Sequence, residues 1–380
     1  MPTSKLFDAC PLGTSILEHK AVLSPMTRFR ADNDGVPLPS VKTYYAQRAS
    51  VRGTLLITEG VVICPRAKGF PNVPGIWHRD QIARWKEVVD EVHARGCVIW
   101  LQLWAAGRAS DAETLASNGL DLESSSDVPL APGDPAPRPL REEEIRSYIL
   151  AYAQGAFNAV HEAGFDGVEI HAANGFLIDQ FLQSSCNHRT DQWGGTIENR
   201  SRFGLEIARR VVDAVGKDRV GVKLSPWSTF QGMGTMHDLV PQFQHFITAL
   251  RDMDIAYLHL ANARWVEEED PGIKTHPDVH NEAFVRTWGD EKPVILAGGY
   301  DADSARRLVD QTYSAKNNVL VAFGRQYISN PDLALRLKMN IALQKYNRDT
   351  FYIPFSEEGY VDYPFCKEYL RQYGIVEETK

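Results

Sequence analysis

The sequence predicts a closed (β/α)8 barrel of the TIM type, one domain over residues 1–380 with long loops at the C-terminal ends of its strands. Three observations lead there. Short, almost continuously apolar, β-rich runs recur about eight times, stretches of helical period alternate with them, and neither G-x-G-x-x-G nor G-x-x-x-x-G-K-[ST] occurs. Strands apolar on both faces are covered on both faces, as in a parallel sheet flanked by helices. A doubly wound open sheet usually announces itself with the glycine fingerprint after its first strand, so it is the second choice. The chain exceeds the ~250 residues typical of such barrels, and the surplus belongs to loops.

In chain order the predicted strands are Ala21–Leu23, Thr54–Thr58, Cys97–Leu101, Gly167–Ile170, Val220–Leu224, Ile255–Leu260, Pro293–Leu296 and Val319–Phe323. Between them apolar residues return every three to four positions, predicting helices over Gln81–Ala94, Glu142–Glu162, Ile197–Val215, Leu239–Arg251, Ala302–Val309 and Pro331–Lys338. The Pro-rich stretch Val128–Pro139 falls between the third strand and the helix that should follow it. It reads as a long loop rather than a domain boundary.

Composition narrows the function. With 43% hydrophobic and 24% charged residues, the chain has the make-up of an ordinary soluble globular protein. Asp plus Glu (49) exceed Lys plus Arg (41), a net charge of −8, so no general basic surface neutralises phosphates and no nucleic-acid partner is expected. Cys10, Cys64, Cys97, Cys186 and Cys366 are scattered without C-x-x-C, which suggests neither a disulfide framework nor a zinc ribbon and fits a reducing compartment. Met1–Gly13 lacks a basic region followed by an apolar run, and nothing approaches the ~18 apolar residues of a membrane span, so a cytoplasmic location is expected. No H-x-H or H-E-x-x-H pattern suggests a metal, and the choice between monomer and homodimer stays open.

A barrel of this kind carries its chemistry just past the C-terminal ends of its strands. After the fourth strand, His171-Ala-Ala-Asn174-Gly175-Phe176 sets an imidazole and a carboxamide three residues apart. In a single turn both can donate to one oxygen; the alternative is a core histidine and a capping asparagine. The seventh and eighth strands end in Ala297-Gly298-Gly299 and Phe323-Gly324-Arg325, each feeding a helix. Paired, they suggest a phosphate cradle; singly, each is a tight turn, with Arg325 a surface cation. Lys223 lies inside the fifth strand, where a buried charge faces a ligand, forms a salt bridge or serves as a Schiff-base lysine. Gln102 beside Trp104 on the third strand, Met26-Thr27 after the first and Glu59-Gly60 after the second complete a ring of polar or small groups. His259 reads as a buried, hydrogen-bonded residue rather than a ligand, and Glu267–Asp270 as a solvated acidic face.

These residues sit in blocks that resemble the old yellow enzyme family, FMN-dependent barrels that use NAD(P)H to reduce alkenes conjugated to carbonyls. The blocks are Ser24-Pro25-Met26-Thr27-Arg28-Phe29-Arg30, Leu56-Ile-Thr-Glu-Gly60, Gln102-Leu-Trp-Ala-Ala-Gly-Arg108, Asp166-Gly-Val-Glu-Ile-His-Ala-Ala-Asn-Gly175, Asn187-His-Arg-Thr-Asp-Gln-Trp-Gly-Gly195, Glu198-Asn-Arg-Ser-Arg-Phe203 and Phe323-Gly-Arg-Gln-Tyr-Ile-Ser-Asn-Pro-Asp332. The resemblance implies FMN as cofactor, NADPH as reductant and a small-molecule enal as substrate. Pro25, Met26, Thr27, Gly60 and Gln102 would meet the flavin, Lys223 its N1/O2 edge, and Gly298, Gly299, Gly324 and Arg325 its phosphate. His171 and Asn174 would bind the substrate carbonyl, with Trp104, Phe176 and Tyr352 lining the pocket.

Two positions depart from the family pattern. Lys223 stands where Arg is usual, keeping the charge but losing the planar fork. Phe176 stands where many members carry the Tyr that protonates the substrate's α-carbon. With Phe230-Gln-Gly-Met-Gly-Thr-Met236 and Arg264-Trp-Val-Glu-Glu-Glu-Asp-Pro271, it makes the chain similar to a fungal ergot-alkaloid subgroup acting on chanoclavine-I aldehyde. There Tyr goes with net reduction and Phe with net isomerisation, opening the way to an iminium. A plain NADPH-dependent ene-reductase is the alternative within the family. An aldolase built on Lys223 and a catalytically silent binding barrel are the alternatives outside it.

Overall fold

The computed structural model describes residues 4–234, 236–262 and 281–373. The acidic run Glu267–Asp270, the segment Arg264–Pro271 and Thr235 of the Phe230–Met236 stretch lie outside the described residues.

Eight parallel strands close into a barrel: β1 (Ala21–Leu23), β2 (Leu55–Val62), β3 (Val98–Trp104), β4 (Gly167–Ala172), β5 (Val220–Leu224), β6 (Tyr257–Ala261), β7 (Val294–Ala297) and β8 (Val319–Phe323). β8 returns to β1 through Val321 opposite Ala21 and Phe323 opposite Leu23, which leaves no open edge. The predicted barrel is observed, with a correction to where its site residues stand. β2 runs past Thr58 by shifting register between Ile57 and Gly60, so that Gly60 pairs with Gln102. β3 and β4 likewise reach Trp104 and Ala172. Glu59, Gly60 and His171 are therefore strand residues, not the first residues after strands. Pairing is a property of the backbone and continues where the side chains turn polar.

Helices α1 (Pro39–Arg48), α2 (Arg79–Ala94), α3 (Glu142–Phe157), α4 (Ile197–Val215), α5 (Leu239–Asp252), α6 (Glu282–Trp288), α7 (Ala302–Arg307) and α8 (Leu333–Met339) follow the strands in turn. The α3 helix does not run on unbroken to Glu162; Asn158–Glu162 is a π-helical turn. Periodicity did not reveal α1, because its inner face of Val41, Tyr44, Tyr45 and Arg48 ends in a buried cation. Arg48 lies 3.5 Å from the Tyr44 ring centroid and donates to Tyr327 O at 3.1 Å. The α6 helix, at seven residues, is too short to show a period.

The barrel interior has two levels. A hairpin of Cys10–Leu12 and Ser15–Leu17 plugs the N-terminal mouth, packing Cys10, Leu12 and Leu17 against Val22, Leu55, Trp100, Ile295 and Leu320. Above this layer the inward residues are polar yet buried: Gln102, Glu169, His171, Lys223 and His259. Gly221 permits one close approach there. A Cβ on it would lie 2.3 Å from the Tyr257 ring, whose hydroxyl crosses to donate to Glu169 Oε2 at 3.0 Å.

The loop after β1 is latched to the C-terminal segment. Arg28 donates to Phe351 O (3.1 Å) and Gly359 O (2.8 Å), while Arg30 donates to Phe351 O (2.8 Å), Ser356 O (3.0 Å) and Thr350 O (3.2 Å). Tyr360, stacked on Tyr44 with centroids 4.3 Å apart, lies under both guanidinium groups. These carbonyls belong to no strand, so the arginines supply the donors a sheet would have given. Arg30→Ala is expected to cost about 3 kcal/mol, since several charge-assisted bonds go and Thr350 O and Ser356 O lose the arginine donor, while Phe351 O keeps Arg28. Urea unfolding would measure the loss, and limited proteolysis should place the first cut within residues 350–360. A variant as stable as the parent and uncut there would contradict the latch.

Candidate active site

A cavity of about 420 Å³ opens at the C-terminal end of the barrel. One wall comes from the ends of β7 and β8. Gly298 and Gly299 take φ of 126° and 74°, conformations L side chains rarely adopt. They lead to Asp301, which caps α7 by accepting from Ser304 N at 2.7 Å. Gly324 lies so close to the β1 loop that a Cβ would sit 2.9 Å from Met26 Sδ. Arg325 then opens a short helix, Arg325–Ser329, with its guanidinium 5.6 Å from the Tyr346 centroid. Backbone turns, helix starts and a cation on one wall suit an anionic group. Pro25, Met26, Asn174, Lys223 and Tyr352 line the same cavity, so chain segments far apart in sequence meet here.

Asn174 has φ of 59°, held by its N–H donating to Ser225 Oγ at 2.7 Å. The next residue donates from Gly175 N to Asp179 Oδ2 at 2.9 Å, and Gln180 Nε2 donates to Gly175 O at 2.7 Å and Ala106 O at 3.0 Å. Asp179 and Gln180 thus shape the turn that presents Asn174 and Phe176. Neither is a predicted site residue; their only sequence signal is a carboxylate and an amide following a glycine turn at helical spacing. His171 Nδ1 and Asn174 Oδ1 are both buried with no hydrogen-bond partner among the described residues. Buried polar atoms in this state call for a ligand. Burial first, then the charge of Lys223, keeps the His171 imidazole well below its usual range, so at neutral pH it is an uncharged donor.

Lys223 is 6% exposed and makes no hydrogen bond or ion pair with the described residues. It forms no salt bridge with Glu169; burial lowers its pKa while the Glu169 charge pulls the other way. Gln102 Nε2 is committed to Glu169 Oε1 at 2.7 Å. Gly60 stands against Trp104, whose ring a Cβ would approach to 3.0 Å. Thr27 follows Met26 in the β1 loop.

Phe176 sits edge-on between two rings, 4.9 Å from His171 and 5.0 Å from Trp104. Trp104 stacks on Phe70 at 5.8 Å, Phe70 meets Phe29 at 6.4 Å, and Phe29 meets Tyr352 at 5.7 Å. An aromatic chain therefore joins the His171 side of the site to Tyr352. Phe29 and Phe70 were not among the predicted pocket residues, because both lie on loops where no period marks an inward face.

Asp179 offers a test of the turn. Burial pushes its carboxyl up to about 6, against hydrogen bonds from Gln183 and Gly175. Because the folded pKa exceeds the unfolded value near ~3.9, stability contributed below that value is lost as pH rises through about 6. Urea unfolding at several pH values should show this fall in the parent and a flatter profile in Asp179→Asn. Equal slopes would show that the buried carboxyl is not the source.

The orphaned atoms of His171 and Asn174, the unpaired Lys223 ammonium and the glycine-lined wall fit a ligand with an anionic tail and a polar ring, as FMN has. Comparison with known proteins agrees. A Claviceps purpurea (strain 20.1) protein described as a probable inactive dehydrogenase is 77% identical over 372 residues, 98% of each chain. A chanoclavine-I aldehyde reductase of Penicillium roqueforti (strain FM164) is 54% identical over 369 residues, 97% of each. The crystal structure of old yellow enzyme from Pichia sp. AKU4542 superposes with a TM-score of 0.87 at 34% identity, covering 96% of this chain and 94% of that one. The model of the NADH:flavin oxidoreductase / NADH oxidase family matches residues 5–344. The chain belongs to that FMN-dependent family, with old yellow enzyme among its structural neighbours.

Proposed function

We propose that the protein is a net alkene isomerase acting on an α,β-unsaturated aldehyde, chanoclavine-I aldehyde, so that the product cyclises to an iminium. The observation that carries this reading is Phe176, a ring without a hydroxyl set between His171 and Trp104. FMN in this cavity supplies reversible hydride transfer at the substrate's β-carbon, with NADPH as the initial reductant.

His171 and Asn174 hold the aldehyde oxygen and stabilise the negative charge that develops on it. Each such donor is worth about 2.7–4 kcal/mol in the chemical step. Phe176 has no proton to give the α-carbon, so the enolate is not trapped as the saturated aldehyde. Its former double bond is single and rotates; the hydride gained at the β-carbon would return to the oxidised FMN that gave it, restoring the alkene with changed geometry. The aldehyde comes within reach of the substrate's own secondary amine, and condensation with loss of water gives the iminium. The sum is redox-neutral, and NADPH primes the protein rather than being consumed at each turnover. Among the described residues no helix is long and apolar enough to cross a membrane, and we place the reaction in the cytosol.

The Claviceps relative's description as inactive supports a protein that does not perform net reduction; it equally favours a second reading, a silent binding barrel. Anaerobic turnover separates them. The isomerase gives rearranged product with substoichiometric NADPH, the plain ene-reductase consumes one NADPH per saturated product, and the silent barrel gives neither. Phe176→Tyr should shift product toward the saturated iminium and raise NADPH use toward one per product. A parent that already oxidises NADPH stoichiometrically would refute the isomerase. Arg325→Ala should weaken FMN retention by about 10- to 100-fold, the loss of one charge-assisted phosphate contact. Unchanged retention on gel filtration would overturn the phosphate assignment.

A further inference from the structure

We infer that His259 is a positioning residue that takes up a proton when the bound flavin is reduced, offsetting, together with Lys223, the negative charge that reduction leaves in the barrel. The inference rests on the FMN site and is independent of the isomerase reading. Asn174 and Lys223 line the same cavity as the Gly298–Arg325 wall, so a flavin whose phosphate that wall held would share the cavity with both.

Lys223 stands in register between His171 on β4 and His259 on β6. Beside them, Glu169 accepts from Gln102 Nε2 at 2.7 Å and from Tyr257 OH at 3.0 Å, and meets His259 Nδ1 at 2.8 Å. The titratable groups around His259 are therefore Glu169, His171, Lys223 and Tyr257; β3 adds the uncharged Gln102 and Trp100, and β7 the apolar Ile295 opposite His259. An ionised carboxylate beside Nδ1 requires an N–H there, so in the neutral ring the lone pair is on Nε2. That atom is fully buried and has no partner among the described residues.

Charge accounting gives the atom its role. Glu169 is ionised: burial opposes this, but the hydrogen bonds from His259 Nδ1 and Gln102 Nε2 and the charge of Lys223 favour the carboxylate. Lys223 balances it, and His259 is neutral, because burial depresses its pKa more than Glu169 raises it. Hydride from the nicotinamide brings the flavin two electrons and one proton, so the ring becomes an anion. A proton from water arriving at Nε2 makes an imidazolium and restores neutrality; reoxidation returns both hydride and proton. His171 is the poorer acceptor, since no carboxylate hydrogen-bonds its ring.

The test is the midpoint potential of the FMN-loaded protein, read by dye equilibration between about pH 6 and 8, around the imidazole range. The parent should take up two protons per two electrons while the reduced flavin shows the anionic absorption spectrum. His259→Asn should take up one, with FMN content unchanged. Glu169→Gln should also take up one, because its barrel begins with an extra positive charge that the reduced ring cancels. One-proton behaviour in the parent, two-proton behaviour in both variants, or a neutral reduced-flavin spectrum would overturn the inference. Colourless protein would instead refute the FMN site.

Discussion

Closure of the sheet is the constraint on which the rest depends. Once β8 pairs with β1, alternate side chains of all the strands enter a cylinder whose width is set by strand number and tilt. A hairpin and apolar side chains fill its lower level, where Trp100 and Tyr257 rings lie 5.0 Å apart. The upper level holds polar groups that cannot reach bulk water. They must be neutralised by one another or by a ligand, and Glu169, with three donors around it, is the centre of that balance.

Above the barrel, arginine does for loops what ladders do for strands. Arg108 donates to Val128 O (3.2 Å) and Pro129 O (3.1 Å) in the Pro-rich loop, and to Gln231 O (3.2 Å) and Gly232 O (3.1 Å) beyond β5. Arg189 ties Ser125 O (3.1 Å) to Leu140 O (2.7 Å) in the same way. A planar cation with five donors can bind several carbonyls at once, which a lysine cannot match. The walls of the site are thereby fixed on segments with little regular structure. Gly175 packs so tightly under the β5 loop that a Cβ would come within 2.8 Å of Gln231 Cβ.

What the sequence made legible follows the same division. Val220–Leu224 and Val319–Phe323 were readable to the residue, because buried parallel strands are apolar on both faces. The cradle glycines and the His171–Asn174 pair were readable from their place after strands. The roles of Arg108 and Glu169 were not, since each is defined by partners distant in the chain. Tyr257 reaches Glu169 only because Gly221 lies between them, a fact of register that composition does not carry.

The latch between Arg28, Arg30 and residues 350–360 also orders events during synthesis. Both donors leave the ribosome 320 to 331 residues ahead of their acceptors. Until then Arg28 and Arg30 of the β1 loop lack the carbonyls they bind, and Tyr352 is missing from the cavity it lines. The barrel can close as soon as β8 is available, before its last wall exists. A nascent chain at that stage has the core of an enzyme without a finished site, so tight capture of the cofactor waits for residues 350–360 to dock.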